Sequence, residues 1–298
     1  MDKIAIIGAG LVGSLQAIYM ARKGFQVTVY ERRSDIRNAE LVAGRSINLS
    51  LSDRGWKALK GAGISDEIKK IAIPMKGRMV HDLEGNQSFQ PYGFHDQAIY
   101  SVSRGELNKQ LLIKADEYPN VELIFNQQLK DINLKTNALK IQNIHTKELS
   151  EKAYDRILGT DGAFSAVRLR LMKTDRFNFS QNYLEHGYKE LHIPANADGT
   201  HKLDKNSLHI WPRGQFMLIA LPNIDGSFTL TLFFPYDGEV SFTSLDTDEK
   251  VLAFFQKTFP DTLPLIPNLI KDYNENPTAD LVTMRCSPWH YQDKICLM

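Results

Sequence analysis

The chain has 298 residues, 43% of them hydrophobic, with 36 basic against 35 acidic side chains. This composition supports a real core and excludes a disordered or supercharged chain, and a net charge of +1 leaves no electrostatic footprint for nucleic acid. Two cysteines, Cys286 and Cys296, cannot form a disulfide scaffold, so the plain reading is reduced thiols in the cytoplasm.

In chain order, Ile4–Ile7 reads as a short buried strand and Leu11–Lys23 as a helix ended by Gly24. Lys3 and the apolar run after it imitate a secretory signal. Gly8, Gly10 and Gly13 interrupt that run, and Arg22 and Lys23 stand where a cleavage site needs small residues. No stretch approaches the ~18 uninterrupted apolar residues of a membrane span, so no membrane segment is expected in this chain. Val27–Tyr30 reads as the second strand, and a polar loop at Arg45–Asn48 leads to a helix near Asp53–Ala62. Arg104–Glu117 is an amphipathic helix, Val121–Phe125 a strand, and further strands run from about 128 to Asp155–Leu158.

The texture changes after Arg176. Leu208–Trp211, Phe216–Leu221 and Phe228–Phe234 read as an antiparallel meander, with turns at Pro212–Gly214 and Pro222–Gly226. Helices are expected at Thr247–Thr258 and across Pro264–Asp272, a strand at Asp280–Arg285, and the start of another at Lys294–Met298. The expected fold is α/β, with a Rossmann-type lobe at 1–175, resumed from about 280, and an antiparallel-sheet lobe at 176–280.

Gly8-Ala9-Gly10-Leu11-Val12-Gly13 follows a strand and opens a helix, the context that turns G-x-G-x-x-G into a dinucleotide fingerprint. Gly8 permits the tight turn, Gly10 lets a pyrophosphate approach the backbone, and Gly13 lets helix and strand pack. The helix N-terminus offers N–H groups to phosphates. Glu31 ends the second strand, where an acid holds a ribose hydroxyl and repels a 2′-phosphate, although Arg32 and Arg33 follow it. The other reading is a glycine-rich turn with no ligand. FAD and NAD share this fingerprint. Gly159-Thr160-Asp161-Gly162, at a later strand end, suits a second contact on one long cofactor and favours FAD, though alone it is an ordinary Asp-Gly turn.

These motifs resemble the FAD-dependent aromatic hydroxylases with a hydroxybenzoate-hydroxylase-like fold. The finer resemblance is to the branch acting on L-kynurenine. It is carried by Gly44–Ser52, Met75-Lys76-Gly77-Arg78-Met79, Pro91-Tyr92-Gly93, Ser101–Arg104, Leu208-His209-Ile210-Trp211-Pro212-Arg213 and Phe216–Asn223. It implies bound FAD, NADPH as transient co-substrate, and O2, with L-kynurenine hydroxylated beside its aryl amine to 3-hydroxykynurenine in tryptophan catabolism. It implies cofactor contacts at Val12, Tyr30, Glu31, Arg32, Arg33, Ser50, Arg104, Leu129 and Ala166, beside Gly8, Gly10, Gly13 and Asp161. It further implies that Arg78 and Tyr92 grip the substrate carboxylate and that Leu208, Ile219, Leu221 and Phe233 line an aromatic pocket.

Read from the residues themselves, Arg78 offers a fork suited to a carboxylate or a solvent-exposed ion pair. Tyr92 is a phenolic donor or a turn aromatic, and the four apolar residues are pocket lining or sheet core. No residue is obliged to act as acid or base, so positioning is the expected role. The histidine spacings hold no metal motif, no G-x-S-x-G elbow is present, and the cysteines are too far apart for a C-x-x-C pair. His209 and His290 are expected to satisfy local hydrogen bonds. The G-D motif of the family, which follows a strand like Lys294–Met298, is not found, so the length reads as a truncation. A related hydroxylase of another aromatic substrate, or a flavin-binding module without activity, stays open beside the main reading.

Overall fold

The computed structural model describes residues 2–38, 47–94 and 97–298. Gly44, Arg45 and Ser46 fall outside them. The strand Lys3–Ile7 is buried at every position after Lys3, as a strand covered on both faces must be. It sits inside a six-stranded sheet ordered His290–Tyr291, Ile295–Leu297, Arg156–Gly159, Lys3–Ile7, Gln26–Tyr30, Val121–Ile124. All neighbours run parallel except the outermost pair, His290–Tyr291 with Ile295–Leu297.

Alternation along the first strand sends Ile4 and Ile6 to one core and Ala5 and Ile7 to another. Helices Leu11–Arg22, Asp53–Ala62 and Arg104–Asp116 close the first core, where Ile18, Leu59 and Leu112 are buried. An antiparallel sheet of Gln127–Asn133, Ala138–Asn143 and Leu149–Ala153 closes the second, with Leu129, Ile132 and Leu139 facing Ile157.

The seven-stranded sheet is ordered Ala279–Ser287, Asn178–Ile193, Phe228–Pro235, Phe216–Pro222, Ser207–Arg213, Gly77–His81, Gln87–Pro91. It contains the expected three-strand meander. It also contains a 16-residue strand, Asn178–Ile193, and a hairpin, Gly77–Pro91, that sequence reading did not mark. Gly77–His81 runs parallel to Ser207–Arg213, so the chain enters this sheet well before residue 175. One face is packed by helices Asp248–Thr258 and Leu269–Glu275 through Trp211, Leu218, Leu230, Leu232, Phe234 and Phe255.

The helix expected across Pro264–Asp272 is corrected. Only a short turn forms at Leu263–Leu265, and the helix begins at Leu269. Pro267 is the reason: it bars its predecessor from the helical region, and Ile266 has ψ 72°. A small sheet, Asn48–Leu51, Ile99–Ser103 and Ile73–Met75, joins the lobes. Ser101 Oγ donates to Pro222 O at 2.8 Å and Asn48 Nδ2 to Asn223 Oδ1 at 2.7 Å.

Candidate active site

Each glycine of the fingerprint meets a different constraint. Gly8 has φ +100°, and a Cβ there would press on the Thr160 backbone. A Cβ on Gly13 would overlap the Gly8 carbonyl, whereas one on Gly10 would meet open space. The backbone therefore closes tightly at Gly8 and Gly13 and stays accessible at Gly10. The helix Leu11–Arg22 starts with no side-chain cap and no acid in its first turn, so its positive end is free for an anion. Exposed Val12 stands in this turn.

Glu31 is buried. Its Oε2 accepts Ala9 N at 2.8 Å, and its Oε1 accepts Arg33 N at 3.0 Å. The acid thus ties the second strand to the glycine turn. A cavity of about 500 Å³ opens here, lined by Gly10, Glu31, Arg33, Arg104, Asn108 and Phe125 among others. Arg104 begins its helix at the cavity wall. Sequence reading missed Asn108, whose Nδ2 donates to Ala9 O at 3.1 Å and whose Oδ1 lies 3.3 Å from Ser14 Oγ. No motif marks it, because its partner is 99 residues away.

The Asp-Gly turn lies against the same glycines. Thr160 Oγ1 donates toward Ile7 O and Gly8 O, both at 2.8 Å. Asp161 Oδ2 accepts Ala166 N at 2.7 Å and Val167 N at 3.3 Å, holding the helix Ala166–Leu171. Its other oxygen, Oδ1, is buried with no partner among the described residues, an unmet acceptor of the kind a ligand hydroxyl satisfies.

Register places the expected substrate residues on one face of the large sheet. Arg78 pairs with Leu208, Ile210 with Ile219, Ile219 with Thr231, Leu221 with Thr229 and Tyr188 with Phe233. Paired residues share a face and alternate ones return to it, so Arg78, Leu208, Ile219, Leu221 and Phe233 stand opposite the helix-covered side. The Arg78 guanidinium lies 5.1 Å from the centre of the Tyr92 ring. The Tyr92 hydroxyl is buried without a hydrogen-bond partner among the described residues; burial pushes this phenol up, and Arg78 pulls it back.

Tyr188 and Glu190, which sequence reading did not single out, belong to the same face. The Tyr188 ring lies 6.0 Å from that of Phe233. Its phenol is raised by burial and by Glu190, against the opposing charge of Arg104. Burial raises the Glu190 carboxyl.

Of the expected cofactor residues, Gly10, Glu31, Arg33 and Arg104 line the cavity and the others lie outside its lining. Tyr30 turns its hydroxyl to Tyr154 at 2.8 Å inside the second core, and only its carbonyl, which accepts Gly8 N at 2.8 Å, touches the turn. Leu129 is 5% exposed and packed in that core. Ser50 is exposed on the small joining sheet. Arg32 is exposed beside Arg33, and Ala166 serves through its backbone. The local bond expected for His290 is present, to Gln292 O at 3.0 Å. His209 is a correction: besides Asp204 O it bonds His81, 128 residues away, because the parallel strand pair brings them together.

A dinucleotide turn, a second acidic turn against it and an antiparallel sheet bearing an arginine define the class: flavin-dependent oxidoreductases with the aromatic-hydroxylase fold. Residues 3–132 match the family described as FAD dependent oxidoreductase. The whole chain superposes on 2-methyl-3-hydroxypyridine-5-carboxylic acid oxygenase with a TM-score of 0.77 at 18% identity, covering 74% of that structure. It likewise superposes on p-nitrophenol 4-monooxygenase from Pseudomonas putida with a TM-score of 0.73 at 14% identity, covering 72%. The chain belongs to the kynurenine 3-monooxygenase family. It is 53% identical to the kynurenine 3-monooxygenase of Flavobacterium psychrophilum over 298 residues, all of this chain and 66% of the relative. With that of Dictyostelium discoideum it shares 52% over 99% of this chain and 63% of the relative, and with that of Sus scrofa 47% over 99% and 62%. It therefore spans a little under two thirds of the length of these relatives. Among the described residues no helix is long and apolar enough to cross a membrane.

Proposed function

We propose that this chain acts in an FAD monooxygenase that converts L-kynurenine to 3-hydroxykynurenine with NADPH and O2. The observation that carries the reading is 53% identity along the entire chain to a kynurenine 3-monooxygenase, and the geometry agrees with it. The residues fit FAD. Gly10 leaves the backbone open, the uncapped helix presents N–H groups, Glu31 and Arg33 border the cavity, and Asp161 Oδ1 awaits a donor. Gly8, Gly10, Val12, Gly13, Glu31, Arg33, Arg104 and Asp161 would hold the cofactor, with Tyr30, Arg32, Ser50, Leu129 and Ala166 contributing through backbone or position. When bound, FAD supplies the electron transfer and the activation of oxygen.

The protein's own part is orientation and exclusion of water. Arg78 offers two parallel N–H donors to a carboxylate, and its fork is already set over the Tyr92 ring. The Tyr92 hydroxyl, with no hydrogen-bond partner among the described residues, donates to the same group. Leu208, Ile219, Leu221 and Phe233 give the aromatic ring an apolar wall. The free cysteines suit a cytoplasmic protein. Purified protein carrying flavin is expected to oxidise NADPH faster when kynurenine is added. An unchanged rate with kynurenine, and a raised one with another aromatic acid, would move the reading to a related hydroxylase.

A further inference from the structure

Behind the strands that carry Arg78 and Leu208, on the helix-covered face of the sheet, two histidines and a carboxylate form one line of hydrogen bonds. His81 and His209 are each 1% exposed. Asp261 Oδ2 lies 3.0 Å from His81 Nδ1, and His81 Nε2 lies 2.9 Å from His209 Nδ1. His209 Nε2 lies 2.9 Å from Asp204 O. Trp211 Nε1 donates to the same Asp261 oxygen at 2.7 Å, and its ring stacks on His81 at 4.1 Å.

The protons in this line can be counted. Asp204 O is a carbonyl and only accepts, so His209 Nε2 carries a hydrogen. Burial pushes His209 down to about 4, so the ring is neutral and its Nδ1 is an acceptor. The bond between the rings then needs a hydrogen on His81 Nε2. The bond from His81 Nδ1 to Asp261 needs another. Three bonds require three hydrogens, and two neutral rings supply two. Burial raises Asp261, but the hydrogen bonds from His81 and Trp211 outweigh it and hold the carboxyl below its usual value, so the third hydrogen sits on the ring.

We propose that His81 is a buried imidazolium paired with the Asp261 carboxylate, and that this bound proton locks the strand Gly77–His81 to Ser207–Arg213. The pair is neutral as a whole, and the charges around it are of both signs. Arg213 donates to His81 O at 3.0 Å and to Asp82 O at 2.9 Å. Asp261, Asp82 and Glu84 act on Arg213, and Asp204 on His209. Arg78 lies three residues from His81 on the locked strand, so the proton positions the residue read above as the carboxylate clamp. That consequence rests on the proposed function; the proton itself does not.

The test compares the intact protein with Asp261→Asn. An asparagine amide oxygen there can still accept from Trp211 Nε1, but the carboxylate charge that pairs an imidazolium is gone. Imidazole 15N resonances of the wild type at neutral pH should show both His81 nitrogens protonated, and D261N should return that ring to neutral. Above pH ~6.5, where an unfolded imidazole is neutral, unfolding of the wild type releases the proton. Its folded-to-unfolded ratio should then fall by up to tenfold per pH unit relative to D261N. The kynurenine KM should rise only at the higher pH where the folded ring itself gives up the proton, in the wild type alone, with kcat unchanged. A neutral His81 in the wild type, or parallel stability profiles for the two proteins, overturns the proposal. A protonated His81 with a KM that ignores pH overturns only its link to Arg78.

Discussion

The glycine turn and the face of the large sheet are assembled in opposite ways. The turn takes Gly8, Gly10, Gly13 and Glu31 from one short stretch, and the constraints on them are local: a positive φ, a carbonyl in contact, a buried acid reaching back to Ala9. The sheet face draws on strands at 77–81, 188–193, 207–213, 216–222 and 228–235, and its residues meet only through register. A site of the first kind is sensitive to backbone space. A site of the second kind is sensitive to side-chain identity and strand placement.

Gly13→Ala is the hardest test of the turn. The added Cβ overlaps the Gly8 carbonyl and should cost about 3 kcal/mol, the upper end of ordinary overpacking, with loss of bound flavin; an unchanged melting curve would show that the turn can yield. Arg78→Ala tests the sheet face. Charged hydrogen bonds are worth about 1.5–3 kcal/mol, so KM for kynurenine should rise roughly 10–100-fold with little change in kcat, and an unchanged KM removes Arg78 from the clamp. Asn108→Ala asks whether the turn depends on its distant pin. Loss of the bond to Ala9 O should cost about 1 kcal/mol, read as a lower denaturation midpoint and weaker flavin retention.

The smallest effect is expected from Glu190→Gln. Burial raises this carboxyl in the folded chain, so folding favours its protonated form. The stability it contributes is present at low pH and is lost as pH rises through the raised value. The variant should therefore be slightly more stable than the wild type at neutral pH and equal to it near pH 4. A variant less stable at neutral pH would mean that the charged carboxylate has a partner.

Local signals located most elements. Leu208–Trp211 was legible as a strand, though it runs on through Pro212 and Arg213, which read as a turn, and strand alternation implies that Leu208 and Ile210 face one way and His209 and Trp211 the other. What lay on each side was not legible. The hairpin Gly77–Pro91 sits in the sequence of the first lobe and shows no strong alternation, so nothing local announced that it extends the second lobe's sheet. The strand Asn178–Ile193 was overlooked because its first half is polar and half-exposed. Leu129 illustrates the reverse: the resemblance assigns it to the cofactor, and since its side chain is packed in the core, its backbone is what is left for that role.

By itself the sequence determined the α/β class, the nucleotide turn, the Asp-Gly turn and the kinship, because glycine spacing and hydrophobic period are properties of neighbouring residues. Only the tertiary structure decided that Arg78 stands beside Leu208, that Asn108 pins Ala9, and that His81, His209 and Asp261 meet in one buried line. Those contacts span 99 to 180 residues; strand register selects Arg78 with Leu208 and His81 with His209, and the packing of a helix and a loop on their sheets selects the others.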